Sequence, residues 1–273
     1  MIGLGVLGHP VAHSRSPELH AQFASQVGLE IDYQKLDVAP GYFAAEIARL
    51  QAEKWVGCNV TVPFKSDAYD VCTARSPEVE MAGVVNTLVF HDNGAVEGHN
   101  TDGPGLVADM TTHLGWDLDS ARLLILGAGG ATQGVLGALL ETNPASIHVW
   151  NRTHLKAEQL VHQHDDARVA AMAADDLESH YDVVVHASAA GLQGQRVEVP
   201  LRCIGPSTRA YDLSYSAEPT PFIRWASSSG AVVCADGLGM LIEQAALAFE
   251  IWFGELPSTI PIRQSEGLSF DNG

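Results

Sequence analysis

The sequence predicts an α/β protein of two units, each built on an open sheet with helices against it. Short runs rich in Val, Ile and Leu alternate with helical patterns along the chain. A hairpin signal and a long helix close the first series near residue 102, and a second strand–turn–helix series begins at Arg122. With 273 residues, 46% hydrophobic and 18% charged, the chain has enough apolar material for a core in each unit.

In order, residues 2–7 read as a strand and 17–26 as a helix introduced by Ser14 and Ser16. A strand at 32–36, a helix at 41–53 and a buried strand at 57–62, ended by Pro63, follow. This alternation implies a mostly parallel sheet. After a strand at 84–90, Asp92-Asn93-Gly94 signals a hairpin turn into another short strand. Residues 101–114 read as a helix leaving the first unit. In the second, strand 122–126, a glycine-rich turn, helix 133–141 and strand 146–151 make one βαβ step. Further strands at 182–186, 209–213 and 231–234 complete a Rossmann-like unit spanning about 103–236. The apolar helix at 240–253 has no partner that pattern alone identifies, and the residues after Leu268 read as a loose tail.

Charge narrows the partners. Thirty-three acidic against fifteen basic residues give −18, a field that repels phosphate backbones and anionic lipid, so we expect neither a nucleic-acid nor a membrane partner. An anionic ligand binds only where local donors override that field. Met1-Ile2-Gly3-Leu4-Gly5 carries no basic residue and runs straight into patterned sequence, so we expect no signal peptide. Residues 123–140 are uncharged and of membrane-span length, but five glycines with Thr132 and Gln133 make them a strand, a turn and a helix start. Cys58, Cys72, Cys203 and Cys234 lie far apart, as free thiols in a reducing cytoplasm would, and no histidine spacing suits a metal.

The strongest local signal follows strand 122–126. Gly127-Ala-Gly129-Gly130-Ala131 lies between that strand and a helix: Gly127 permits the tight turn, and Gly129 lets backbone N–H groups approach a pyrophosphate at the helix N-terminus. The end of the next strand selects the cofactor. An NAD site usually carries a carboxylate there for the ribose 2′-hydroxyl, whereas this chain has Asn151-Arg152-Thr153, with Lys156 one turn on. Nothing repels a 2′-phosphate, and Arg152 can stack on adenine and bind the phosphate, so we expect NADP.

Four polar clusters lie at or just beyond predicted strand ends, where open α/β sheets bind ligands. They contain Ser14 and Ser16; Asn59, Thr61 and Lys65; Asn86; and Asn100 and Asp102. Each alone has a plainer reading: Ser16 and Asp102 as helix caps, Asn100 as a turn residue, Lys65 as a surface lysine. Together, uncharged hydroxyls and amides around one ionisable pair suit a small polyhydroxylated substrate. Alcohol oxidation by a nicotinamide needs a hydride acceptor and a group that exchanges the hydroxyl proton, and Lys65 beside Asp102 can serve as that group.

In this order, the motifs resemble the shikimate dehydrogenase family along nearly the whole chain. Gly8-His-Pro-Val-Ala-His-Ser14-Arg-Ser16-Pro-Glu-Leu-His20 is similar to its opening substrate motif. Gly57-Cys-Asn-Val-Thr-Val-Pro-Phe-Lys65, Gly83-Val-Val-Asn-Thr87 and Gly98-His-Asn-Thr-Asp-Gly103 resemble the next three. Gly127–Ala131 and Asn151-Arg-Thr153 resemble its NADP loops. Asp212-Leu-Ser-Tyr215 with Thr220, and Asp236-Gly-Leu-Gly-Met-Leu-Ile-Glu-Gln244, resemble its closing motifs.

The resemblance implies reduction of 3-dehydroshikimate to shikimate with NADPH, on the route to chorismate and the aromatic amino acids; we expect a cytoplasmic protein, from its free thiols, and leave monomer and homodimer as alternatives. It implies a catalytic pair at Lys65 and Asp102, with substrate contacts at Ser14, Ser16, Asn59, Thr61, Asn86, Asn100, Tyr215 and Gln244. The two serines would hold the substrate carboxylate. Gly127, Gly129, Gly130, Ala131, Asn151, Arg152, Thr153, Lys156, Ser188, Leu213 and Gly237 would line the cofactor site. It also implies two α/β domains separated by a cleft: a substrate domain of 1–102 completed by 237–273, and an NADP domain of 103–236.

Two positions depart from the family's pattern. Its usual Asn-Ala-Thr-Ser run is His186-Ala187-Ser188-Ala189 here, from which we expect altered cofactor-loop packing and weaker NADP affinity. Ala217 stands where a proline is usual, loosening that loop. A quinate/shikimate dehydrogenase preferring NAD is the nearest alternative, disfavoured by paired Ser14 and Ser16 with Arg152 and Thr153. A non-catalytic NADP sensor would have no need of Lys65 and Asp102.

Overall fold

In the computed structural model, which describes residues 1–188 and 200–268, the chain divides into Met1–Gly105 with Leu241 onward, and Leu106–Met240. Ala189 and the tail expected after Leu268 lie outside the described residues.

The first unit is built around β1 (Ile2–Gly8), which pairs in parallel with β2 (Ile31–Asp37) and β3 (Gly57–Val60). Beyond β3 lie β4 (Ala74–Arg75), β5 (Thr87–Phe90) and β6 (Val96–His99), giving the order β2-β1-β3-β5-β6-β4. The sheet is mixed rather than mostly parallel, because β5 runs antiparallel to both β3 and β6. The hairpin at Asp92–Gly94 requires the second pairing, since a turn so short returns the chain antiparallel. Helices α1 (Ser16–Val27), α2 (Phe43–Ala52), α3 (Lys65–Val71), α4 (Pro77–Ala82) and α5 (Asp102–Ala108) fill the connections. Phe43, Ile47 and Leu50, at helical spacing on α2, join Leu7, Val60, Phe64 and Leu88 in one core. Each such side chain contributes about 1.5–3 kcal/mol by leaving water.

Two expected elements differ here. The expected strand start at 84 is not reached: β5 begins at Thr87, Asn86 still accepts the Val60 N–H at 2.8 Å and donates to the His99 carbonyl at 3.1 Å, and Val85 turns its N–H to the Lys65 carbonyl at 3.0 Å instead. The expected helix 101–114 starts at Asp102 and widens at Asp109–His113 into a π turn, closed by Leu114 N–H on the Asp109 carbonyl at 2.9 Å.

The second unit contains β7 (Arg122–Leu126), α6 (Gly130–Glu141), β8 (Ser146–Trp150), α7 (His154–His164), β9 (Val169–Met172), β10 (Val183–His186), β11 (Arg209–Asp212), α8 (Pro221–Ser228) and β12 (Val233–Asp236). All pairings are parallel, in the order β12-β11-β10-β7-β8-β9, so the winding reverses between β7 and β10. Leu123, Ile125, Val183, Val185 and Tyr211 face Val135, Leu136 and Leu139 in one core cluster. Alternate residues Leu124, Leu126, Val184 and Ala210 meet Phe222 and Ala226 in another. Burial on both faces is why these strands read as unbroken apolar runs. The strand expected at 231–234 begins two residues later. Ala231 N–H still bonds the Ala226 carbonyl at 3.1 Å, past the positive-φ Gly230 that ends α8.

Helix α9 (Leu238–Phe253) starts in the second unit and from Leu241 belongs to the first, followed by α10 (Ile260–Ser265). Phe249 packs 6.0 Å from Phe23, and the Trp252 indole N–H donates to the Leu88 carbonyl at 3.0 Å. That contact needs glycine at 57: a Cβ there would lie 2.1 Å from Leu88 O and 2.5 Å from Trp252 Nε1. Gly57→Ala is therefore expected to cost about 1–3 kcal/mol in urea unfolding; an unchanged midpoint would show that α9 is not seated this tightly. No described helix is long and apolar enough to cross a membrane, and all four cysteines are unpaired.

Candidate active site

In the first unit, Lys65 opens α3 and Asp102 opens α5, and Lys65 Nζ donates to Asp102 Oδ2. Both are largely enclosed, with side chains 16% and 10% exposed. The second carboxylate oxygen accepts from Asn86 Nδ2 at 2.9 Å, and Asn100 Oδ1 accepts the Asp102 N–H at 3.1 Å. Asn86 also reaches Gln244 Oε1 at 3.2 Å and Thr101 Oγ1 at 2.8 Å. Gln244 comes close because Gly105 has no side chain: a Cβ there would lie 2.7 Å from the Gln244 backbone N.

Behind Asn86 the network continues. The Tyr33 hydroxyl donates to Asn59 Oδ1 at 2.6 Å, Asn59 Nδ2 to Thr87 Oγ1 at 3.0 Å, and Thr87 Oγ1 to Asn86 Oδ1 at 2.9 Å. Every donor in this chain points toward Asp102, so the dipoles align on its carboxylate and reinforce one another. Tyr33 stacks on His20 at 4.5 Å, and burial pushes the His20 imidazole down to about 3, keeping it uncharged beside the network. Ser14 and Ser16, past the end of β1, are both buried and share a 3.2 Å hydroxyl contact. Ser16 lies inside α1 rather than capping it. Thr61 follows the adjacent β3, its methyl group against Gly8.

In the second unit the glycine-rich turn joins β7 to α6. Gly127 has φ +125°, and a Cβ there would lie 2.9 Å from the Ala187 carbonyl. A Cβ on Gly129 would meet nothing within 4 Å, so the backbone at the start of α6 faces open space. Asn151 Oδ1 accepts the Ala128 N–H at 3.2 Å and links the end of β8 to this turn. Arg152, Thr153 and Lys156 are exposed, and among the described residues neither cation is ion-paired. Open backbone at a helix N-terminus, free cations and no carboxylate at 151–153 fit a dinucleotide bearing a 2′-phosphate. Leu213 and Gly237 meet at the ends of β11 and β12, where a Cβ on Gly237 would lie 2.2 Å from Leu213 O. Ser188 follows β10, and Tyr215 also lies in this unit.

Sequence reading missed Tyr33 as a member of the network, and gave Thr87 and Thr101 no role of their own although both lie inside its polar clusters. Tyr33 sits mid-strand on β2 with no local motif and reaches Asn59 only because β1 pairs with both β2 and β3.

Residues 6–88 match the family model described as shikimate dehydrogenase substrate binding domain. Residues 108–196 match shikimate/quinate 5-dehydrogenase, and 237–265 match the shikimate 5′-dehydrogenase C-terminal domain. The chain is 44% identical over 263 residues to the shikimate dehydrogenase (NADP(+)) of Alcanivorax borkumensis, covering 95% of this chain and 94% of that one. Among solved structures it is similar to an Ael1 enzyme from Pseudomonas putida, with TM-score 0.90, 34% identity and coverage of 97% and 98%. It is also similar to shikimate 5-dehydrogenase from Thermus thermophilus, solved with NADP(H) and shikimate, with TM-score 0.85, 33% identity and coverage of 98% and 100%. With three family models in order along it and such identity over nearly its whole length, the chain belongs to the shikimate dehydrogenase family.

Proposed function

We propose that this chain catalyses the reversible NADPH-dependent reduction of 3-dehydroshikimate to shikimate, within chorismate and aromatic amino-acid biosynthesis. The observation that carries this reading is the Lys65–Asp102 pair at the focus of an uncharged hydrogen-bonding network. Residues 1–102 with 237–273 act as the substrate domain, and 103–236 as the NADP domain.

Ser14 and Ser16 hold the substrate carboxylate with neutral hydroxyls, which suits one anion in a chain of net charge −18. Asn59, Thr61, Asn86, Asn100, Gln244 and Tyr215 bind its remaining polar groups. Gly127, Gly129, Gly130 and Ala131 receive the cofactor pyrophosphate, Asn151, Arg152, Thr153 and Lys156 its adenosine 2′-phosphate end, and Ser188, Leu213 and Gly237 its nicotinamide half. When bound, NADPH supplies hydride to the ketone carbon. Lys65 Nζ hydrogen-bonds the ketone oxygen, stabilises the negative charge that develops there, and passes it a proton. Shikimate oxidation reverses that transfer. Asp102, itself fixed by Asn86 and Asn100, keeps Nζ aimed at the reacting oxygen.

The enzyme acts on a small molecule, and we place it in the cytoplasm as a monomer or homodimer without nucleic-acid or membrane partners. Initial rates with shikimate and quinate, each with NADP and NAD, test the assignment. Shikimate with NADP is expected to be fastest. Faster turnover of quinate with NAD would make it a quinate dehydrogenase, and NADP binding without turnover would make it a sensor.

A further inference from the structure

His186, where the family's usual run has asparagine, stands at the centre of a buried array. The β10–β11 register pairs it with Asp212, and His186 Nδ1 lies 2.9 Å from Asp212 Oδ1. Its Nε2 lies 2.7 Å from Ser188 Oγ. Asp212 also accepts the Ser214 N–H at 3.0 Å and the Thr220 hydroxyl at 2.5 Å. The His186 ring stacks on Phe222 at 4.9 Å, and His186 and Asp212 are both buried. Neither side chain can turn without breaking a buried hydrogen bond.

The sense of each bond follows from the chemistry of its partners. A carboxylate only accepts, so in an uncharged imidazole the ring proton sits on Nδ1 and Nε2 is left as an acceptor. The Ser188 hydroxyl proton is then committed to Nε2. On its outward side Ser188 Oγ presents lone pairs and no proton. An asparagine at 186 would impose no such direction, because its amide offers both a donor and an acceptor.

Ser188 follows β10, the first strand beyond the reversal next to β7. Asn151, Arg152 and Thr153 follow β8, on the other side of β7, and a dinucleotide spans such a reversal with its two halves on opposite sides. The nicotinamide half therefore belongs over the ends of β10, β11 and β12. The backbone there is tight against the glycine turn, with Ser188 N 3.2 Å from where a Gly127 Cβ would be. The N–H donor that this half of the cofactor carries is its primary carboxamide.

We propose that His186 and Asp212 fix Ser188 Oγ as an acceptor for the carboxamide N–H of the cofactor's nicotinamide, making Ser188 a specificity-determining contact and His186 its positioning residue. This rests on the NADP assignment above. The test is calorimetric binding of NADP and of its 3-acetylpyridine analogue, in which a methyl group replaces the amide NH2, at pH 8 and without substrate. Wild type and Ser188→Thr are expected to prefer NADP over the analogue by about five- to tenfold more than Ser188→Ala does, the worth of one neutral hydrogen bond. If Ser188→Ala binds NADP but keeps the wild-type preference, or weakens both ligands equally, the proposal is overturned and the NADP site stands. If the wild-type protein binds neither, the cofactor assignment itself falls.

Discussion

Replacing Lys65 by alanine is expected to lower kcat about a thousandfold while leaving KM for shikimate within about threefold. The reason is local. Substrate is held mainly by hydroxyls and amides that the substitution leaves in place, whereas the proton at the reacting oxygen is exchanged by Nζ alone. An interaction made chiefly in the transition state appears in kcat rather than in KM. Steady-state kinetics of the purified variant check this, with thermal unfolding as the control for folding, since Asp102 loses its cation and keeps the Asn86 hydrogen bond. A variant with near-normal kcat would remove Lys65 from the chemistry.

Arg152→Asp is expected to raise the NADP dissociation constant about a hundredfold and to change that for NAD far less. Arg152 is exposed at the end of β8 and unpaired among the described residues, so its guanidinium is free for a 2′-phosphate. Removing charge-assisted hydrogen bonds costs about 1.5–3 kcal/mol each, and a hundredfold corresponds to about 2.7 kcal/mol. The new carboxylate would accept from the 2′-hydroxyl of NAD and repel the phosphate of NADP. Binding of both nucleotides by calorimetry decides it, and an unchanged preference would leave Lys156 and Thr153 as the discriminating residues.

Much of this was legible in the sequence, and where it was not the cause is physical. The second unit reads clearly because β7, β10 and β11 are buried on both faces, so their apolar runs stand out against the polar turns. The first unit reads less well. Its α3, α4 and β4 are seven, six and two residues long, too short for a period to show. The mixed pairing of its sheet depends on β5 lying beside β3, a non-local choice that no local pattern encodes. The same holds within the site. Lys65, Asn86 and Asp102 announce themselves as polar clusters at strand ends, whereas Tyr33 joins through strand pairing and Gln244 through the close approach at Gly105. His186 showed in the sequence as a departure from the family's run. Its bonds to Asp212 and Ser188 depend on a strand register that only the fold supplies.

The most direct test of the central claim follows the transferred hydrogen. Incubating the enzyme with 3-dehydroshikimate and NADPH dideuterated at the nicotinamide C4, then weighing the product by mass spectrometry, reports substrate, cofactor and chemistry at once. Shikimate carrying one deuterium is the expected product, and its formation should all but stop in Lys65→Ala. Unconverted 3-dehydroshikimate, or shikimate without deuterium, would contradict the account.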